Sequence, residues 1–445
     1  MTTLPPTLDQ LRAVMRDRGV RRILVKFLSP NDNSKNQIYL GGDLGVINII
    51  PAGDPVASSS GQQGTPIFKA PLTLAWIDDQ QRAWPAPNAQ LILYPQYPEV
   101  RMSGFLKGAQ WAPSELLTAR EEGRILVLGI GDVGSLFGYV ADAASALAKE
   151  LQQHPDLETA GVFKVVPLTA TSAVSDSRTR LMAELCRIAE AGWIEGWTLG
   201  TDGSRRPCTA PNCVGVTLES ELGITANGRS EPDFDGWEVK GHTVANLKRP
   251  GSGAVTLLTP EPNGGVYVDV GAIEFVRRFG YKDKLGREDR LNFGGIHRVG
   301  ERCAATGLTM LLDGYDSTAG MITDSEGALV LVSASGEVAA SWSFAGLMAH
   351  WIRKHARAVF VPALKRTSPT TAFAYGAEVL VAEGTDYLFL LSALARGVVY
   401  YDPGIKVENA STVPKAKRRS QFRVSRKALG QLYHSSENRL SCSPV

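Results

Sequence analysis

Short apolar runs separated by turn-forming residues dominate the chain from Arg22 to about Tyr139. Such spacing favours a β-barrel or β-sandwich over βαβ units, which would place helical patterns between the strands. A helical pattern from Leu8 to Asp17 precedes these runs, and "ADAASALAKELQQH" predicts a helix that follows them. The predicted strands are "RILVKFL", "QIYLGG", "GVINIIP", "IFKAPLTLAWI", "AQLILYP" and "RILVLGI".

The pattern changes near Ser175, where helical and strand-like segments alternate. The segment "SRTRLMAELCRIAEAG" places Leu181, Leu185 and Ile188 on one helical stripe, and Gly192 is a suitable C-terminal stop. A short helix is predicted for "VGVTLESELG" and a longer one for "SFAGLMAHWIRKHA". The predicted strands between and after them include "GWEVKGHTV", "AVTLLTP", "GVYVDV", "AVFVPAL" and "AEVLVAE".

A chain of 445 residues exceeds the size of a usual single domain. We therefore predict an α+β multidomain protein. A β-rich, barrel-like N-terminal domain is expected over residues 1–165, and an α/β domain with a central mixed sheet over residues 170–445.

Composition narrows the class of protein only slightly. The apolar fraction of 44% and the charged fraction of 21% are ordinary for a globular protein, and a net charge of +2 neither demands nor excludes a polyanionic partner. No segment has the apolar length of a membrane span, and the first residues lack the pattern of a signal peptide. We therefore expect a cytoplasmic protein with no membrane partner. Five cysteines, too few and odd in number for a disulfide framework, are expected to be reduced thiols.

A glycine motif raises the possibility of a nucleotide cofactor. In "RILVLGIGDVGSLFG", Gly129, Gly131 and Gly134 form G-x-G-x-x-G directly after a predicted strand. A dinucleotide fingerprint requires a helix to open at that turn and an acid to end the next strand. Here "SLFGYV" predicts a second strand, and Glu150 lies inside a helical pattern. We interpret "GDVG" as a hairpin turn, with an oxidoreductase as the alternative.

The segment "SEPDFDGWEVKGH" sets two acids and a lysine among apolar residues. If residues 237–241 form a strand, Glu238 and Lys240 share one face and the residues between them enter the core. Asp233 would come from the turn before the strand. Two neighbouring carboxylates repel each other unless a cation joins them, and oxygen ligands with open positions suit Mg²⁺. A solvated strand edge with one ion pair is the alternative interpretation.

The wider context "VGVTLESELGI…NG…PDFDGWEVK" resembles the MvaI/BcnI family of restriction endonucleases, relatives of the MutH mismatch-repair nickase in the PD-(D/E)xK superfamily. The resemblance extends from about Ser175 to the end. It implies a PD-(D/E)xK nuclease fold for this part of the chain. It also implies that Asp233 and Glu238 bind the metal, that Lys240 positions or activates the water, and that Glu219 is the helix acid behind the site.

The resemblance implies a Mg²⁺-dependent type II restriction enzyme. Its substrate would be double-stranded DNA, cleaved at a short, near-palindromic C/G-rich site, and a monomer could act alone. A MutH-like nickase and a DNA-binding protein with an inactive nuclease centre remain alternatives.

Two basic segments are candidates for DNA contact, because clustered cations neutralise phosphates and arginine can pair with guanine. Soluble charged surfaces are the alternative. The candidate residues are Arg287 and Arg290 in the first segment, and Lys415, Lys417, Arg418, Arg419 and Arg423 in the second.

The N-terminal domain has its own polar segment, "LSPNDNSKNQIYL". Asn33, Lys35 and Asn36 in this segment could contact DNA, although asparagines are also ordinary turn residues. Some restriction enzymes with this type of catalytic centre carry a β-barrel effector domain, and by that analogy we expect a B3-like DNA-binding domain here. A partner-binding module is the alternative.

Overall fold

A computed structural model describes residues 7–30, 36–60, 64–168, 177–225, 233–249, 251 and 253–442, with the backbone alone at 133, 353 and 354. The chain divides into two compact units, Met1–Val174 and Ser175–Val445. Both units mix helices with strands, so the predicted mixed, strand-rich fold class is confirmed. Within the described ranges, no helix combines the length and the apolar character needed to cross a membrane.

The first unit contains three α-helices, two 3-10 helices and twelve strands in its described part. The α-helices are α1 (Leu8–Arg16), α2 (Ser114–Thr118) and α3 (Ala146–Gln152). The strands are β1 (Arg22–Leu28), β2 (Ile38–Gly41), β3 (Val56–Ser60), β4 (Thr65–Pro71), β5 (Thr73–Ile77), β6 (Ala83–Pro85), β7 (Gln90–Tyr94), β8 (Glu99–Ser103), β9 (Arg124–Ile130), β10 (Ser135–Ala141), β11 (Thr159–Ala160) and β12 (Phe163–Val166).

The second unit contains six α-helices, one 3-10 helix and twenty strands in its described part. The α-helices are α4 (Ser177–Glu190), α5 (Cys213–Glu221), α6 (Val266–Asp269), α7 (Gly271–Phe279), α8 (Phe344–His355) and α9 (Tyr387–Ala395). The first ten strands are β13 (Trp193–Glu195), β14 (Trp197–Leu199), β15 (Arg205–Pro207), β16 (Glu238–Thr243), β17 (Ala254–Leu258), β18 (Tyr281–Lys282), β19 (Arg290–Gly294), β20 (Thr309–Asp313), β21 (Tyr315–Asp316) and β22 (Met321–Ile322). The last ten are β23 (Ala328–Val332), β24 (Val338–Ser343), β25 (Arg357–Arg366), β26 (Ala372–Tyr375), β27 (Glu378–Glu383), β28 (Val399–Tyr401), β29 (Gly404–Glu408), β30 (Lys415–Lys417), β31 (Phe422–Ser425) and β32 (Ser435–Leu440).

Two sheets form the first unit. The larger has the strand order β11-β12-β1-β9-β10-β5-β6, and the smaller has the order β2-β8-β7-β4-β3. Helices α1 and α3 bury Leu11 and Leu147 against Val25 and Val127 of the larger sheet. Strands β9 and β10 are antiparallel, and the turn between them carries Gly134 at φ +73°. The predicted hairpin at the glycine motif is therefore confirmed, and the oxidoreductase alternative loses its strand–turn–helix context.

Two of the predicted strands are wrong. In "GVINIIP" the chain forms a 3-10 helix over Leu44–Asn48, because the Asp43 side chain accepts a 2.7 Å hydrogen bond from the Gly45 N–H and caps a helical turn. In "GVYVDV" it forms α6, with the adjacent residues Val266 and Tyr267 both buried. Burial of neighbouring residues fits a helix and violates the alternation of a strand exposed on one face.

A six-stranded mixed sheet organises the second unit. The strand order is β13-β26-β25-β27-β32, and β16 pairs in parallel with β25 while the other pairs are antiparallel. The predicted stripe of Leu181, Leu185 and Ile188 on α4 packs into the core of this sheet. Helix α5 joins the same core through Leu218. The paired strands β16 and β25 therefore share one core with both helices.

The expectation of five reduced thiols is wrong. Cys186 is bonded to Cys442, and Cys208 is bonded to Cys213, while Cys303 is a free, buried thiol. The first pair is separated by 256 residues in sequence. Folding brings the end of the described chain against α4, which no local spacing reveals.

Candidate active site

Strand β16 carries the predicted acid and lysine and lies at one side of β25. Glu238 is opposite Ala358, and Lys240 is opposite Phe360. Trp237 and Val239 are 1% and 2% exposed and enter the core, so the predicted alternation is confirmed. Glu238 is itself only 3% exposed, which distinguishes it from an acid on a solvated strand edge.

A tight turn places Asp233 beside the strand. Asp235 and Gly236 have φ values of +45° and +87°, and the backbones of Phe234 and Trp237 exchange hydrogen bonds of 2.9 and 2.7 Å. The turn allows the backbone N–H of Val239 to donate a 2.9 Å hydrogen bond to Oδ2 of Asp233. The carboxylate of Asp233 is thus fixed next to the face that carries Glu238 and Lys240. The residues 226–232 before the turn lie outside the described ranges.

The acids of the site repel each other. Burial, followed by the charge of Glu238, raises the pKa of Asp233 to about 7; the hydrogen bond from Val239 lowers it, Glu219 raises it further, and Lys240 lowers it. Such a shift means that the protein does not fully compensate the negative charge of the ionised Asp233 carboxylate. A cation in the site would supply that compensation.

Lys240 is held as an ammonium ion. Its Nζ lies 2.8 Å from Oε1 of Glu238. Burial lowers its pKa, but Glu238, Asp233 and Glu219 outweigh that effect, so the pKa of Lys240 is raised above its ordinary value. At neutral pH this side chain can donate hydrogen bonds and cannot accept a proton.

Helix α5 brings the fourth predicted residue, Glu219, into the same electrostatic field. The helix approaches β16 closely: a Cβ added at Gly241 would lie only 2.8 Å from the carbonyl oxygen of Val214, which belongs to the helix. The hydroxyl of Tyr375 donates a 2.8 Å hydrogen bond to that same oxygen. A glycine in the strand therefore lets the helix place its acid near the site. Glu221 has another role, since it accepts a 2.8 Å hydrogen bond from the indole of Trp197.

The donor set fits Mg²⁺. Asp233, Glu238 and Glu219 offer only carboxylate oxygens, the ligands that Mg²⁺ prefers. Three carboxylates against one ammonium leave an excess of negative charge when all are ionised. Asp233 and Glu238 are the residues that would hold the ion.

The structure adds one neighbour that the sequence did not single out. By alternation along β16, His242 lies on the same face as Lys240. Burial, with a smaller contribution from Arg426, lowers the pKa of His242 to about 4, so its imidazole is neutral at pH 7. The sequence "EVKGH" could have revealed this, because His242 follows Lys240 by two positions and so shares its face of the strand.

The predicted DNA-binding residues of the second unit fall into two groups. Arg287, Lys415, Lys417, Arg418 and Arg419 are exposed. Arg290 and Arg423 are engaged in internal contacts: Arg290 is 8% exposed and lies 3.6 Å from Asp283, and Arg423 lies 2.7 Å from Asp402. Direct contact of these two arginines with DNA would require those ion pairs to open.

In the first unit, the predicted DNA-binding residues Asn33 and Lys35 lie outside the described ranges. Asn36 is described, and its φ of +47° is a left-handed conformation typical of asparagine in turns. Its DNA contact remains a prediction.

The fold and the donor set have the features of hydrolases that act on phosphodiesters with acids, a lysine and a divalent cation. Residues 182–433, more than half of the chain, match the model of the MvaI/BcnI restriction endonuclease family. The chain belongs to this family and is accordingly a type II site-specific deoxyribonuclease. The matched range contains all four predicted catalytic residues, the three acids and Lys240, and begins after the end of the first unit.

Two solved structures are similar to part of the chain. The restriction endonuclease MvaI in complex with its cognate DNA substrate is 17% identical, with a TM-score of 0.43, and the match covers 60% of this chain and 99% of that chain. MvaI in the absence of DNA is 14% identical, with a TM-score of 0.32 and the same coverage of both chains. No curated protein matches the chain.

Proposed function

We propose that the protein is a Mg²⁺-dependent endonuclease that cleaves double-stranded DNA at a short, near-palindromic C/G-rich site. The observation that carries the proposal is the convergence of Asp233, Glu238 and Lys240 at the start of one strand, with Glu219 contributing to their field. Family membership supports DNA as the substrate. The base composition of the site rests on the resemblance to the family.

Asp233 and Glu238 are assigned to Mg²⁺ binding. A bound Mg²⁺ would polarise a phosphoryl oxygen and lower the pKa of a coordinated water. The pKa of about 7 at Asp233 means that a proton competes with the metal for this carboxylate near neutrality. Glu219 is assigned as the helix acid behind the two ligands.

Lys240 is assigned to positioning the attacking water and the scissile phosphate. Because its pKa is raised, Lys240 stays protonated and acts by donating hydrogen bonds and positive charge. A different group must accept the proton of the water. The ion pair with Glu238 fixes the ammonium group at the site before DNA arrives.

The first unit is proposed to be a second DNA-binding module, B3-like in its role, with domain limits near 1–165 and 170–445. Cations beside aromatic rings support a nucleic-acid surface: Nζ of Lys26 lies 5.7 Å from the ring centre of Tyr39, and Cζ of Arg101 lies 5.9 Å from that of Tyr94. A module that binds another protein is the competing proposal. The cytoplasmic location and a monomeric state remain predictions.

The test is plasmid cleavage with Mg²⁺ and with EDTA, by the wild type and by Asp233→Asn and Glu238→Gln. Discrete linear fragments that require Mg²⁺, and their loss in both variants, are expected. Asp235→Asn is the matched control, because this exposed acid two residues away pairs with Arg180 at 2.8 Å and should leave cleavage intact.

The other outcomes separate the alternatives. Nicked circles alone would favour a MutH-like nickase. Binding without cleavage, across methylated and unmethylated DNA, would favour an inactive nuclease centre. Sequencing the ends of the fragments gives the recognised bases.

A further inference from the structure

The four-stranded sheet β18-β19-β29-β30 has one apolar and one polar face. Phe293, Ile405 and Val407 are at most 1% exposed and form the buried face. By alternation, the residues between them point to the opposite face. That polar face joins the two basic segments, which lie more than a hundred residues apart in sequence.

The strand register defines the rows of the polar face. Asn292, Lys406 and Lys417 are opposite one another in the first row. The next row holds Arg290, Glu408 and Lys415, and a third holds Gly294 and Gly404, whose N–H donates to the carbonyl of Arg419. Lys406 is thus at the centre of the face.

Positive charge exceeds negative charge on this face. Glu408 lies 3.2 Å from Lys417, and Asp283 lies 3.6 Å from Arg290, so both acids have cationic partners. In the part of the chain that the structure describes, Lys406, Arg287 and Arg419 form no ion pair with an acid.

The cations of this face affect one another. Partial burial, then repulsion from Arg290, Arg419 and Arg287, lowers the pKa of Lys406, and Glu408 opposes the shift. The cations are therefore close enough to produce a concentrated positive potential, which an anion would relieve.

Glycines leave room for neighbouring side chains, Tyr281 at Gly294 and Arg419 at Gly404, to lie on the same face. Gly294 and Gly404 place no side chain there, and a Cβ at Gly404 would lie 2.7 Å from Nε of Arg419. The guanidinium of Arg419 therefore lies beside the strand, in a residue that is still exposed to solvent. A guanidinium held at a fixed place beside Lys406 can contact one phosphate of a nucleic-acid backbone while Lys406 contacts the next.

We infer that this polar face binds the sugar–phosphate backbone of double-stranded DNA, with Lys406, Arg287 and Arg419 neutralising neighbouring phosphates. The inference rests on the proposed function for the identity of the ligand. It assigns a contact to Lys406, which was not among the residues predicted from the sequence. Phosphates, more than bases, suit a lysine, which acts as a point charge without directional pairing.

The experiment measures the affinity of the full chain for a DNA duplex in EDTA at several salt concentrations. Lys406→Gln should lower the slope of log K against log salt by about 0.9, the value for one lost phosphate contact, and Lys406→Arg should restore it. Lys282→Gln is the matched control, since Lys282 is exposed on the opposite face of the same sheet and should leave the slope unchanged. Cleavage by Lys282→Gln should match that of the wild type, because Lys282 lies outside the proposed binding face.

Equal slopes for Lys406→Gln and the wild type would overturn the inference, and so would equal losses in Lys406→Gln and Lys282→Gln. In both cases wild-type cleavage would leave the proposed function intact. A wild type that neither binds nor cleaves DNA would overturn both. Loss of binding to an acidic peptide in Lys406→Gln, with unchanged DNA affinity, would assign the face to a protein partner and also overturn the inference.

Discussion

Neutralising Asp233 should stabilise the metal-free protein while abolishing its cleavage of DNA. The folded protein raises the pKa of Asp233 from its ordinary 3.8 to about 7. An acid whose pKa is raised by folding destabilises the folded state above its unfolded pKa, and the loss grows until the pH reaches the folded pKa. Asparagine has no charge and removes this destabilisation, and its side-chain oxygen can still accept the hydrogen bond from Val239.

The magnitude follows from the pKa shift. About three pKa units at about 1.4 kcal/mol each give an upper limit of about 4 kcal/mol at pH 8. The carboxylate of Asp233 keeps some contact with solvent, which screens its charge, so we expect a gain of about 2 kcal/mol for Asp233→Asn. That gain should raise Tm by several degrees.

The assay is thermal unfolding in EDTA at pH 8 and pH 5. The stabilisation by Asp233→Asn should be smaller at pH 5 than at pH 8, because at pH 5 more of Asp233 in the folded wild type is protonated. Asp235→Asn, which removes an exposed acid paired with Arg180, should give no stabilisation at either pH. An Asp233→Asn variant that is no more stable than the wild type at pH 8, or whose gain is independent of pH, would refute the reasoning.

Three further predictions concern the lysine, the helix contact and the thiols. Lys240→Ala should keep DNA affinity and lose cleavage by about 100-fold or more, measured under single-turnover conditions; retained cutting would remove its assigned role. Gly241→Ala should cost about 1–3 kcal/mol in chemical unfolding and slow cleavage, because its Cβ would clash with Val214, whereas Gly253→Ala has no neighbour within 4 Å and should do neither. Thiol titration of the denatured, unreduced protein should detect one thiol, that of Cys303, and a count of five would contradict the disulfide pairing.

Local patterns predicted the alternation along β16 well. The alternation of Trp237, Glu238, Val239 and Lys240 requires only that one side of a strand be buried, and the structure shows that arrangement. The burial of Glu238 was not predictable, because it depends on how the rest of the unit packs around β16.

Long-range pairing explains what the sequence did not reveal. The basic segments were visible as separate runs, but Lys406 joins them only because β29 pairs with both β19 and β30. The Cys186–Cys442 bond likewise depends on where the end of the chain lies after β32 has paired with β27. Helix α6 replaced a predicted strand because the adjacent residues Val266 and Tyr267 are both buried, which a strand exposed on one face would not allow.

The most direct test of the metal assignment is anomalous scattering from crystals soaked in Mn²⁺, collected for the wild type and for Glu238→Gln. The account predicts a peak within about 2.2 Å of carboxylate oxygens of both Asp233 and Glu238 in the wild type, and its loss or marked weakening in the variant. A wild-type crystal without a peak between these two carboxylates, or a peak that persists unchanged in Glu238→Gln, would contradict it.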